Sequence, residues 1–463
     1  MSTSKVMETT PMGALIGRMA GEYKAKRSVY DIPEALFRKV FRDEPASPGF
    51  EVLGSRIHYP VGPAAGPHTQ IAPNLVASYL GGSRIFELKT VQVNDQLEIA
   101  KPCIDALDEG HNVEWSTELS LVQAREEYLR GFLALHVLKT LFAEKGAGNF
   151  LFNMSVGYTL EGIKSPAMDA FIEGMRAPAS TPFWGDALAE LRAALASPAF
   201  REAFGAEGAA RAAAAVEAMP TAPVHSVTLS TMHGCPPAEI ERIGRYLIED
   251  KGFSTYIKLN PTLLGYDRVR EILDRTGWTE VEIRRPGFEH DLQWPDALAL
   301  IASLAAAAER KGVRFGLKLS NTLANVNAGG RLPGEERYMS GRALFPITVR
   351  LAADLAAAVP EPLPFSFCGG VSALNAGDCV RAGLGPLTVA TDILKPGGYL
   401  RLADMARSAV SALSAAPKGP DARALSALAD AALARPEFRG DWKEGEAAID
   451  APLPEFDCFD APC

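Results

Sequence analysis

The segment "VHSVTLSTMHGCPPAEIERI", residues 224–243, decides how the chain is read. Its first part is an apolar, β-branched run that fits a buried strand and stops at Thr231. Five residues later Pro236 and Pro237 open a helical pattern, because proline is tolerated in a first helical turn. Strand, short turn and helix make the repeating unit of a parallel α/β fold. The same unit recurs on both sides. Strands are expected at residues 60–66, 84–90 and 150–157 before it, and at 255–261, 314–321, 364–370 and 386–392 after it. Helical patterns fall at 237–251, 295–311, 342–359 and 375–383. Eight strands alternating with helices imply right-handed crossovers and a closed (β/α)8 TIM barrel of the α/β class. "EVEIR" at 280–284 competes as an extra strand. A doubly wound open sheet is the alternative, but no dinucleotide glycine fingerprint follows the first strand.

Composition narrows the function classes. A chain of 463 residues with 47% hydrophobic content supports a sizeable core. A net charge of −9 argues against a nucleic-acid backbone as partner. No apolar run reaches membrane-spanning length, and the first residues lack the apolar region of a signal peptide. Six thinly spread cysteines do not make a disulfide scaffold, so a cytoplasmic setting is expected. Residues 1–48 read as a helical N-terminal arm, 49–413 as the barrel and 414–463 as a C-terminal helical extension and tail. A short hairpin is expected at 50–60 around Gly54, and the alanine-rich stretches 186–218 and 403–435 read as helical additions.

In such barrels the chemistry sits at the carboxyl ends of the strands. The first strand ends in Ala64, Ala65 and Gly66, small residues that let a flat ring lie against backbone. The second ends in Lys89 and Thr90, the third in Asn153 and Ser155, the fifth in Lys258 and Asn260. Asn321 follows the sixth, Gly369 and Gly370 the seventh, and Thr391 and Asp392 the eighth. Twin glycines before the last strand read either as a tight turn or as a place for a phosphate, which barrels bind there. A lysine in an apolar strand needs an anion or a wet pocket. Lys89 and Lys258 therefore face a bound anion, or pair with a barrel carboxylate such as Glu87. Cys235 falls near a helix N-terminus, where the helix dipole lowers a thiol pKa, with Glu239 and Glu241 opposing part of the shift. Its other reading is a small buried apolar residue. His233 is a second proton-carrier candidate, or a structural donor to its loop.

The motifs "PVGPAAG", "IKLNP", "SNT" and "FCGGVSALNAGDCVRAG…ATD" stand in the order seen in flavin barrels. The region 50–400 resembles the dihydroorotate and dihydropyrimidine dehydrogenase superfamily. With "FELKTVQ", "LSTMHGCPP", "MSGRALFP" and "ATDILKPGGYLR", nearly the whole chain resembles the N-terminal half of the putative selenate reductase family. The resemblance implies FMN, backed by Ala64, Ala65 and Gly66. Lys89, Thr90, Asn153, Lys258 and Asn321 would face its ring, and Gly369, Gly370, Thr391 and Asp392 its phosphate. A carboxylate beside a phosphate repels it, so the Asp392 side chain is expected to point away or to bind through a water. The Cys235-Pro236 pair matches the position of the superfamily's acid/base cysteine, although "STMHGC" is longer than the usual loop. The loop after the second strand lines the superfamily's substrate pocket, which makes Asn112, Glu114, Trp115 and Ser116 candidates, with His68 and Asn260.

The resemblance thus implies an FMN-dependent oxidoreductase using hydride transfer on a small polar, purine- or pyrimidine-like substrate. An iron–sulfur and FAD/NAD(P)H electron-transfer partner is implied, as a missing C-terminal half or a separate subunit. Cys458 and Cys463 are weak iron–sulfur candidates, since a [4Fe–4S] cluster needs four ligands and the others would come from elsewhere. Two other readings are a non-redox lyase or aldolase using a strand-end lysine, and a non-catalytic flavin relay or scaffold subunit.

Overall fold

The computed structural model describes residues 7–106, 110–113, 116–144, 146–230, 233–359 and 363–442. All eight expected strands form within a single parallel sheet. They are β1 (Val61–Pro63), β2 (Ile85–Glu87), β3 (Leu151–Val156), β4 (Val224–Leu229), β5 (Ser254–Leu259), β6 (Phe315–Leu319), β7 (Phe365–Phe367) and β8 (Leu387–Val389). The ladder runs in chain order from β2 to β8 and returns to β1. The seam between β1 and β2 is bridged by the Arg84 N–H, which donates to the Val61 carbonyl at 3.0 Å. Gly62 sits at that seam, where a Cβ would lie 1.6 Å from the Ile85 carbonyl oxygen, so only glycine permits the approach. The sheet is a (β/α)8 barrel. Residues 280–284 form no strand.

The barrel interior is filled, not hollow. At the amino end the hairpin Phe50–Val52/Ser55–Ile57 packs Val52, Leu53 and Ile57 against Ile85, Leu151 and Tyr256. Above this plug lies a polar layer. Lys318 Nζ is 2.7 Å from Glu87 Oε1 and donates to Ser366 Oγ at 3.0 Å and to Thr388 Oγ1. Thr388 in turn donates to the other Glu87 oxygen at 3.1 Å. A buried ion pair is tolerable only when its remaining valences are met in this way. Glu87, the carboxylate suggested for Lys89 or Lys258, thus pairs with Lys318 on β6.

The helices Met12–Lys26 and Glu34–Asp43 precede the barrel. They are tied to it through Glu44, whose carboxylate meets the fully buried Arg84 guanidinium at 2.7 Å. At the C-terminal side the helix Ala422–Ala432 packs on Phe345–Ala358. Among the described residues no helix is long and apolar enough to cross a membrane.

Over the carboxyl end lies a four-stranded antiparallel sheet made of Ile104–Asp105, His111–Asn112, Leu323–Val326 and Glu336–Met339. Residues 101–118, expected as loop, supply half of it. Register pairs Tyr338 with Asn112 and Met339 with His111. This cover touches the barrel where Ser340 Oγ meets Thr391 Oγ1 at 2.8 Å.

Candidate active site

The strand ends open beneath the cover into two joined chambers, with cavity volumes of about 370 and about 110 Å³. Ala65, Lys258, Asn321, Ser340 and Thr391 line both. Gly66, Lys89 and Thr90 bring the ends of β1 and β2 to the larger chamber, and Asn112 and Ser116 reach it from the cover. Ala64, Gly369, Gly370 and Asp392 line the smaller. Side-chain alternation explains the lysines: Lys89 lies two positions beyond Glu87, and Lys258 pairs in register with Lys318, so both share the inward face. The glycines bend the chain back. Gly370 has φ +75°, and a Cβ there would lie 2.6 Å from the Gly341 carbonyl oxygen.

The smaller chamber suits an anion. Its two carboxylates are both neutralised: Arg401 holds Asp392 in a bidentate pair at 2.8 and 3.0 Å, and Arg435 Nε meets Glu437 at 2.6 Å. Lys395 and the Ser372 and Thr391 side chains line the same space. The Asp392 carboxylate is engaged by Arg401, and the pair carries no net charge against an anion.

Five expected site residues, Asn153, His68, Asn260, His233 and Cys235, fall outside the described lining of the chambers. Asn153 lies inside the barrel, its Nδ2 donating to Thr228 Oγ1 at 2.7 Å and its Oδ1 accepting from Ser226 Oγ at 2.8 Å. Both ends of the amide are committed to neighbouring β4, so it is a cross-strand tie and is not part of the chamber lining. His68 is buried behind Gly66, where a Cβ would touch its ring at 2.6 Å. Burial, with the Lys89 charge adding to it, pushes the His68 pKa down to about 3, so the ring is neutral. Asn260 belongs to a separate cluster and does not line the chambers.

That cluster is centred on Asp291. Its carboxylate accepts from Thr262 Oγ1 at 2.6 Å, Asn260 Nδ2 at 2.8 Å, and the backbone N–H groups of Leu292 and Gly234 at 3.0 and 3.2 Å. His233 Nδ1 lies 3.0 Å from it. Burial works to raise the Asp291 pKa, but the hydrogen bonds from His233, Thr262 and Asn260 outweigh it and hold the carboxyl below its ordinary range. Cys235 stands just before this cluster's helix, with Pro236 as N-cap and the helix running Pro237–Arg245. The expected lowering of its thiol pKa is reversed. Burial, then the negative charges of Glu239 and Asp291, push it up to about 11. Cys235 and His233 lie beyond the described lining of the chambers. Glu114, Trp115, Cys458 and Cys463 fall outside the described residues.

Several residues at the site escape a linear reading. Asp95, behind the lining residue Ser116, accepts hydrogen bonds from the Ser116 hydroxyl and, at 2.7 Å, from the Gln92 N–H; burial pushes its pKa up to about 6. His111 lines the larger chamber, kept neutral by burial, which takes its pKa down to about 3. Tyr158 reaches that chamber from a backbone at φ +96°, unusual for a residue with a side chain. Arg342, Lys395 and Arg401 bring positive charge to the smaller chamber. Arg342 and Arg401 lie within "MSGRALFP" and "ATDILKPGGYLR", the motifs that carry the resemblance, but nothing in their local spacing marks their tertiary partners.

A family model described as "Oxidoreductase YgfK, N-terminal TIM-barrel domain" matches residues 32–439. The "Putative oxidoreductase YgfK" of Escherichia coli (strain K12) is 46% identical over 461 residues, covering 99% of this chain and 44% of that protein. The protein of the same name from Escherichia coli O157:H7 gives the same figures. The chain thus spans less than half the length of the curated relatives it matches. Among solved structures, a ligand-free type DHODH from Eimeria tenella aligns with a TM-score of 0.43 at 17% identity, covering 86% of this chain and 93% of that one. With a family match across most of its length and its eight-stranded barrel in place, the chain belongs to the family of the YgfK N-terminal TIM-barrel domain.

Proposed function

We propose that the chain is an FMN-dependent oxidoreductase that moves a hydride to or from a small polar, purine- or pyrimidine-like molecule, as one component of a larger electron-transfer assembly. One observation carries this reading: a single cleft joins Ala65, Lys89 and Lys258 in its wide chamber to Gly369, Gly370 and Thr391 in its narrow one. The donor set fits the group. Small residues at the end of β1 leave a wall against which a flat ring can lie, and two lysines supply positive charge beside it. The narrow chamber offers amide and hydroxyl donors with its carboxylates already paired. Bound flavin would supply the hydride acceptor or donor.

The chain's own residues do the rest. Lys258 and Lys89 favour electron density on the ring, Asn321 offers an amide beside them, and Thr391 with Gly370 faces the phosphate. Asn112 and Ser116 face the substrate from the cover, Ser116 being oriented by Asp95. We assign proton transfer to Cys235, with His233 as the alternative, on the match of Cys235-Pro236 to the superfamily's acid/base position; neither side chain is part of the described chamber lining. A thiol that keeps its proton to about pH 11 is suited to donating a proton in substrate reduction and unsuited to removing one. The non-redox lysine chemistry has no observation in its favour here. The test is titration of the flavin-free protein with FMN, followed by quenching of flavin fluorescence and by the visible spectrum. Saturable one-to-one binding with a shifted flavin band is expected. A protein that leaves FMN unbound at high micromolar concentration overturns the reading.

A further inference from the structure

The last described stretch, residues 436–442, follows the C-terminal helix and comes back to the barrel mouth. Phe438 is buried and stacks on Phe345, with ring centroids 4.4 Å apart and planes within 12°. Its carbonyl accepts from Trp278 Nε1 at 2.9 Å. The Gly440 N–H donates to the Thr276 carbonyl at 2.9 Å. Arg342 holds the rest. Its guanidinium donates to the carbonyls of Glu437 at 3.3 Å, of Arg439, and of Trp442 at 2.9 Å. It also lies over the Trp278 and Trp442 rings, at 4.9 and 5.2 Å from their centroids.

The same Arg342 adjoins the narrow chamber. Its Cα lies 3.0 Å from where a Cβ on Gly370 would stand. Glu437, Phe438 and Trp442 line that chamber together with the twin glycines. A segment left to solvent has no need of a buried arginine, two indoles and a stacked phenylalanine. The arrangement gives this segment a fixed place as a chamber wall.

We propose that residues 436–442 form a strap that closes the narrow chamber over the phosphate of the bound cofactor, with Arg342 as the positioning residue that holds the strap down. This rests on the flavin reading above. It goes beyond it by making cofactor retention depend on a segment outside the barrel strands and their connecting loops. The wide chamber, where a ring would lie, lacks all three strap residues among its described lining. The strap therefore acts on the phosphate end alone.

The experiment compares FMN with riboflavin, which lacks the phosphate, on the full chain carrying Trp442→Ala or Phe438→Ala. Binding is read by flavin fluorescence, and folding by the thermal midpoint without flavin. Cleavage of the strap by a protease, with and without FMN, is a second readout. Expected for Trp442→Ala is an FMN Kd raised roughly tenfold with riboflavin affinity unchanged, and a flavin-free midpoint within about 3 °C of the parent. FMN should also slow cleavage between residues 436 and 442 in the parent chain. Should Phe438→Ala fail to fold, Trp442→Ala and the protease pattern still decide the matter. FMN affinity within twofold of the parent in Trp442→Ala overturns the strap alone. Equal weakening of FMN and riboflavin overturns its link to the phosphate. A parent chain that binds neither flavin overturns both the strap and the reading beneath it.

Discussion

Two groups of side chains crowd the open end of the barrel, and they are built on opposite principles. Along the chamber wall, residues at the ends of β1, β2 and β5 and in the turns after β6, β7 and β8 converge on the two chambers, and lysine and arginine side chains are part of the lining. At the corner after β4 and β5, Asp291 gathers His233, Asn260, Thr262 and two backbone amides onto itself, and little is left to face a ligand. Both groups begin with a polar residue at a strand end, so the sequence alone does not separate them. What separates them is the space they border: the wall residues line the two chambers, and the Asp291 group is not part of that lining. At Cys235, lost solvation and the nearby carboxylates of Glu239 and Asp291 push the thiol pKa up.

The contrast is sharpest at Asp291. Asp291→Asn should destabilise the protein by about 3 kcal/mol at neutral pH, because a buried carboxylate with several donors is replaced by an amide that must point a donor at one of them. Since folding lowers this carboxyl's pKa, its contribution is complete above the unfolded value and is lost as pH falls through the lower folded one. The gap between parent and variant in urea unfolding should hold steady from neutral pH down and narrow only below about pH 4. A gap absent at pH 7 would mean the corner is no more self-satisfied than the chamber wall.

Lys258→Met tests the other side. With FMN as the ligand, affinity should fall about tenfold or more, the worth of one charge-assisted contact, while the unfolding midpoint moves little. Unchanged affinity alongside lost stability would move Lys258 from the wall into the structural class of Lys318. The smallest effect on stability is expected at Cys235. Cys235→Ser should change stability by no more than about 1 kcal/mol. In the parent chain, iodoacetamide should modify this thiol slowly at pH 7, with a rate that climbs towards pH 11. Rapid labelling at pH 7 would show a thiolate stabilised by something other than the groups that surround it here.

The alternation of strand and helix was legible because each β/α unit is local: a short apolar run, a turn, an amphipathic helix. All eight strands follow from it. The strand-end residues were legible for the same reason, since a barrel places every strand end on one rim. What sequence hides is pairing at a distance. Glu87 looked available to Lys89 or Lys258, yet Lys318 takes it, and no pattern in "RFGLKLSN" marks that lysine as the partner. Asn153 falls within β3, three residues before its end, and turns to β4, because two hydroxyls there complete its amide. The cover sheet was missed because its strands are two to four residues long and lack a clear alternating pattern.

That cover also bears on the order in which the molecule can be made. Its strands come from opposite halves of the chain, His111–Asn112 pairing with Glu336–Met339. Nothing emerging early from the ribosome can finish the roof, however well the first few β/α units have settled. A small molecule that needs Asn112 and Ser340 together would therefore recognise only chains synthesised past the sixth strand and its hairpin. Its arrival would report late docking of remote segments, with earlier local folding invisible to it.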